Sequence, residues 1–156
     1  MKIEFYLNND PHEIEVDPAY RLLDLLREDF GLTSVKEGCG EGECGACIVL
    51  MNGLAVNSCL VPCGSILGKH IITLEEFRKT DRYEAIEKGF MDAGAVQCGF
   101  CTPGFVMATE SLLNQNPDPT DEEIREGLSG NLCRCTGYNL IIKGVKLAME
   151  KGAGLW

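Results

Sequence analysis

The sequence predicts an α+β chain built from two modules, residues 1–77 rich in strand signals and residues 78–156 helical. Three observations predict it. From Lys2 to Thr73 the apolar residues fall mainly in short strand-like runs separated by Asn, Gly and Pro, and near residue 78 the spacing changes to that of amphipathic helices. Eight of the nine cysteines form two unlike quartets, one in each half. The 156 residues allow one domain or two small ones, and the change of period favours two.

Taken in order, KIEFYLNND and PHEIEV form a hairpin, and Leu22 to Leu26 lie on a short helix. A glycine-rich stretch, KEGCGEGECGAC, follows. CIVLMNGLAVNSCL reads as a second hairpin turning at Asn52-Gly53, and KHIITLEEF closes the sheet region. The result is a small sheet with a helix packed across it. Beyond it, helices are expected near 83–92, 103–115, 121–128 and 138–151. Thr120, followed by Asp121, Glu122 and Glu123, gives a capping box whose carboxylates suit the positive end of a helix. Thr102 and Thr136 read as N-caps, with Pro103 at the first helical position.

The first quartet is Cys39-x4-Cys44-x2-Cys47-x11-Cys59, the ligand spacing of plant-type [2Fe–2S] proteins. Thiolates bridging two irons need a loop that bends around them. Gly38, Gly40, Gly42 and Gly45 supply the bend and let backbone N–H groups face the sulfurs. The hairpin brings Cys59 back beside Cys47. The second quartet, Cys98-x2-Cys101-x31-Cys133-x1-Cys135, places its pairs before two helix starts, where helix dipoles favour an anionic centre. On ligand chemistry alone structural zinc competes for this quartet. A disulfide framework is the other alternative, disfavoured because MKIEFYLNND lacks an apolar export signal; a reducing, cytoplasmic location is expected. Two iron–sulfur centres would make the chain an electron carrier.

Net charge is −10, and 14 basic residues are scattered among 24 acidic ones. Phosphate backbones are bound by clustered Lys and Arg, so a nucleic-acid partner is excluded. No apolar run approaches the ~18 residues of a membrane span.

These motifs carry a resemblance. LLDLLREDFGLTSVKEGCGEGECGAC, NSCL, GAVQCGFCTPG and GNLCRCTGY occur, in this order, as in the small iron–sulfur subunit of the xanthine oxidase family of molybdenum hydroxylases. The resemblance implies an N-terminal β-grasp plant-type ferredoxin-like domain and a C-terminal four-helix domain, each holding one [2Fe–2S] cluster. It implies a molybdopterin-binding large subunit and an FAD-binding medium subunit as partners, in a hetero-oligomer that is a dimer of heterotrimers. The helical-domain cluster would lie toward the molybdenum cofactor and the other toward the flavin. Gln97 and Cys135 would face the pterin, with Gln97 hydrogen-bonding it. Substrate chemistry would belong to the large subunit, acting on a purine or other N-heterocycle; aldehydes, CO and aromatic acyl-CoA are the alternatives. A free-standing two-cluster ferredoxin is the alternative class.

Few other residues invite a functional reading. By the resemblance Cys63 is a buried structural thiol. His12 and His70 read as surface histidines, and Trp156 as a frayed or interface residue. Arg134, between two ligands, either raises a cluster potential or pairs with an acid. NLIIKGVKLAMEKG carries apolar residues around more than one face, which suggests a second buried surface.

Overall fold

The computed structural model describes residues 1–156. Strands β1 (Lys2–Leu7) and β2 (Asp10–Glu15) pair antiparallel through a turn at Asn8 and Asn9, both at positive φ, which asparagine tolerates. Ile3, Phe5 and Leu7 alternate inward along β1. Helix α1 (Leu22–Asp24) runs directly into a π turn, Leu25–Asp29, so that Leu22, Leu23, Leu25 and Leu26 are all buried.

Strands β3 (Ile48–Met51) and β4 (Leu54–Asn57) form the second hairpin, with Asn52 and Gly53 at positive φ as the sequence predicts. Strand β5 (His70–Ile72) lies parallel to β1 and antiparallel to β3, giving the order β2-β1-β5-β3-β4. This mixed sheet with α1 packed against it is the β-grasp arrangement. KHIITLEEF is strand only to Ile72, because Asn8 takes the Thr73 N–H at 2.9 Å and its Nδ2 donates to the Thr73 hydroxyl at 3.0 Å. The chain then turns into α2 (Leu74–Phe77).

The helical half comprises α3 (Asp81–Ala93), α4 (Thr102–Gln115), α5 (Asp121–Gly127) and α6 (Asn139–Lys151). Thr80 caps α3, and the Thr120–Glu123 capping box forms as predicted. Helices α3 and α6 cross at two glycines: a Cβ on Gly89 would stand 2.6 Å from the Gly144 carbonyl. Phe90, Phe105, Leu113, Ile124, Ile141 and Val145 form the centre of this core, and Leu50 of the sheet and Phe77 join it. None of the helices is long and apolar enough to cross a membrane.

Two expectations need correction. Trp156 is docked: its Nε1 donates to Glu110 at 2.8 Å, and its ring covers Gly152 so closely that a Cβ there would stand 2.5 Å away. Glu110 is 1% exposed, accepts from Asn114 at 2.6 Å and forms an ion pair with Arg82, whose Nε lies 2.9 Å away without hydrogen-bond alignment, so the indole supplies one of the donors this buried carboxylate requires. His12 is half-buried, its ring edge-on to Phe30 at 5.0 Å and beside Phe5. His70 is exposed and stacked on Tyr6, and Cys63 is fully buried.

Candidate iron–sulfur centres

In the first quartet the glycine-rich loop wraps Cys39. The N–H groups of Glu41 (3.4 Å), Glu43 (3.3 Å) and Cys44 (3.4 Å) converge on its Sγ, while its own N–H donates to Cys44 Sγ. These donors pull the Cys39 thiol down to about 7, with Glu41 the largest contributor. The turn requires glycine at Gly42, where φ is +81° and a Cβ would lie 2.3 Å from Leu60. Cys47 and Cys59 are buried at the base of the β3–β4 hairpin, where the Ser58 hydroxyl donates to the Cys47 carbonyl at 2.7 Å. Burial, then the adjacent Cys47, pushes the Cys59 thiol up to about 11. A thiol held up in this way loses its proton when a metal binds.

The second quartet is assembled from two connections. Cys98 and Cys101 lie between α3 and α4, and Cys133 and Cys135 between α5 and α6. Side-chain contacts run across the connections, Cys101 to Cys133 and Cys98 to Cys135. Burial, followed by the neighbouring Cys133, pushes Cys101 up to about 12, and Cys98 raises Cys135. Burial opposes the Cys133 thiolate, yet the Thr136 hydroxyl and N–H outweigh it and bring the thiol to about 7.

Both threonine caps expected here are displaced. Cys101 occupies the N-cap of α4, leaving Thr102 as the first helical residue and Pro103 as the second. The Thr136 hydroxyl turns away from α6 and donates to Cys133 Sγ at 3.1 Å, because Gly137 and Tyr138, both at positive φ, intervene before the helix. The Tyr138 hydroxyl accepts the Cys133 N–H at 3.1 Å and closes the loop. Neither contact was legible from cap chemistry; the Thr-Gly-Tyr break was the available signal. Gln97 is exposed beside Cys98, and Arg134 is exposed and pairs with no carboxylate.

The two centres touch through backbone. Leu132 N–H donates to the Cys44 carbonyl at 2.9 Å, and buried Asn131 reaches the Gly45 carbonyl at 3.4 Å. A Cβ on Gly104, three residues past Cys101, would stand 2.2 Å from the same Gly45 carbonyl. The first loop aims backbone N–H donors at Cys39 Sγ, and the second aims N–H and O–H donors at Cys133 Sγ. That donor set fits an anionic iron–sulfur cluster.

Comparison with known proteins agrees. Residues 5–67 match the 2Fe-2S iron-sulfur cluster binding domain family, and residues 73–146 match the [2Fe-2S] binding domain family. The chain is 53% identical over 151 residues to the nicotinate dehydrogenase small FeS subunit of Eubacterium barkeri, covering 97% of this chain and 96% of that one. It is 48% identical over 145 residues to the xanthine dehydrogenase iron-sulfur-binding subunit of Escherichia coli O157:H7, covering 92% and 91%. A chain of quinoline 2-oxidoreductase from Pseudomonas putida 86 superposes with a TM-score of 0.88 at 39% identity, covering 99% of this chain and 97% of that one.

Proposed function

The chain belongs to the small [2Fe–2S] subunits of the xanthine oxidase family of molybdenum hydroxylases, and we propose from that premise how it carries electrons within an oxidoreductase complex. When bound, each cluster takes up and releases single electrons. Cys98, Cys101, Cys133 and Cys135 hold one of them, and Cys39, Cys44, Cys47 and Cys59 hold the other. The working division is residues 1–77 and 78–156, with α2 lying on the helical core.

Electrons enter at the second centre, whose Cys98 and Cys135 are exposed, and cross to the first. The observation that carries this route is the contact between ligand loops, and its direction is what the family resemblance implies. Leu132 adjoins Cys133, and its N–H meets the carbonyl of Cys44, so a covalent and hydrogen-bonded route of a few bonds links the quartets. A molybdopterin-binding large subunit covers the Gln97 side, where the Gln97 amide and Cys135 meet the pterin, and an FAD-binding medium subunit accepts electrons from the Cys39 side. The assembly is a dimer of such heterotrimers in the cytoplasm, whose reducing conditions keep the thiols available. The nicotinate and quinoline relatives support a purine or other N-heterocycle as substrate.

Freeze-quenched EPR of the complex tests the order. Adding substrate reduces the second centre before the first. Prior reduction of the first centre would overturn the reading.

A further inference from the structure

We propose that Thr136 is the positioning residue that sets the reduction potential of the second centre, through the hydrogen bond from its hydroxyl to Cys133 Sγ. The inference rests on the reading that Cys98, Cys101, Cys133 and Cys135 hold a cluster, with Cys133 Sγ standing for a ligating thiolate.

The two centres meet their sulfurs differently. Cys39 receives three backbone N–H groups, from Glu41, Glu43 and Cys44, which the fold fixes whatever the side chains are. At Cys133 the shortest donor is a side chain, Thr136 Oγ1 at 3.1 Å, backed by the Thr136 N–H at 3.4 Å. The N–H of Cys133 itself is engaged by the Tyr138 hydroxyl. Tyr138 sits at φ +70°, ψ −37°, a conformation rare for a residue with a side chain. That backbone, with Gly137 at φ +69°, keeps Thr136 beside the sulfur and out of the α6 cap it would otherwise occupy. Thr136 is half-buried, so water competes only partly with its hydroxyl.

One-electron reduction adds negative charge to the cluster and its sulfurs. A donor aimed at a ligating sulfur stabilises the reduced form more than the oxidised form and raises the potential.

The test is redox titration of the complete complex, monitored by the separate EPR signals of the two centres. Thr136→Val, which keeps the shape and removes the donor, is expected to disfavour reduction of the second centre about tenfold, about 59 mV for a one-electron couple. The first centre stays unchanged, and Thr136→Ser restores the wild-type potential. The proposal is overturned if Thr136→Val leaves the potential in place, if Thr136→Ser shifts it as far as valine does, or if both centres move together. It is also overturned if Thr136→Val takes up no second cluster while the first loads, since the hydroxyl would then serve assembly. A wild-type complex with only one [2Fe–2S] signal would instead refute the cluster assignment on which the proposal rests.

Discussion

Leu132 N–H donates to the Cys44 carbonyl at 2.9 Å, joining the residue before one candidate ligand to another ligand 88 positions earlier in the chain. The sheet and the helical bundle therefore meet at the two ligand loops. Around this bond Gly45, Gly104 and Gly130 bring three backbones together with no room for a Cβ on Gly45 or Gly104. Close approach of this kind fixes the separation of two redox centres more rigidly than flexible side chains would.

Gly45→Ala tests that junction. The residue has φ +71°, and a Cβ would stand 2.5 Å from the Gly130 carbonyl and 2.6 Å from Asn131 Nδ2. Backbone strain and overpacking together cost about 2–4 kcal/mol. Chemical denaturation should show that loss, and the magnetic coupling between the two centres should weaken as the loops part. Wild-type stability and coupling would mean that the junction is plastic.

The centres should also be separable. Cys44→Ser should remove or perturb only the first [2Fe–2S] signal, and Cys135→Ser only the second, because the quartets sit on different connections of the fold. EPR of each folded variant decides this. Loss of both signals from either change would refute two independent sites.

Much of this was legible in the sequence because the determinants are local. The Asn52-Gly53 hairpin and the Thr120–Glu123 box each depend on a few adjacent residues. The misplaced features depend on distant partners. Trp156 is ordered by Glu110, 46 residues away, and β5 ends where Asn8 captures Thr73. Thr136 has the right chemistry for a cap, but its partner is decided by the backbone of Gly137 and Tyr138. No local pattern marks the π turn at Leu25–Asp29.

Acid sensitivity should trace in part to Glu75. Burial raises its carboxyl, but the Ser34 hydroxyl (2.6 Å) and N–H (3.0 Å), together with Thr73, outweigh it, and the net shift is downward. A depressed folded-state value means stability that is present above the unfolded value of about 4.3 and lost as pH falls through the folded one. Glu75→Gln should therefore be less stable than wild type at pH 7, and the gap should close below about pH 4. A pH-independent gap in paired denaturation curves would show that shape, not charge, holds Ser34.

The Glu110 cluster should be a stability determinant of the helical half. Arg82→Met keeps the aliphatic stem but leaves the buried carboxylate only Asn114 and Trp156, which should cost about 2–3 kcal/mol because Arg82 itself is partly solvated. Trp156→Phe keeps most of the ring contact and loses one charge-assisted hydrogen bond, costing about 1–2 kcal/mol. Thermal melts check both. Because the two changes share Glu110, the double variant should depart from additivity.

The final prediction concerns the surface around the second centre. Val96 (42% exposed), Phe100 (48%) and Leu132 (53%) flank Cys98 and Cys133, and Leu140 at the start of α6 is 37% exposed. Helix α6 meanwhile buries Ile141, Ile142, Val145 and Ala148, and Leu147 and Met149 pack on the same helical core, so Leu140 is the one large apolar residue of the helix left exposed. A carrier that must pass electrons to a neighbour leaves this region open until the neighbour covers it. Expressed alone, the chain should self-associate, and co-expression with the molybdopterin-binding subunit should give a defined complex. Phe100→Ser should raise the solubility of the isolated chain and weaken the complex roughly tenfold, the effect of losing one aromatic anchor of about 1.4 kcal/mol. Sedimentation with the purified large subunit measures both. A monomeric wild-type chain whose affinity for that subunit is unmoved by Phe100→Ser would place the interface elsewhere.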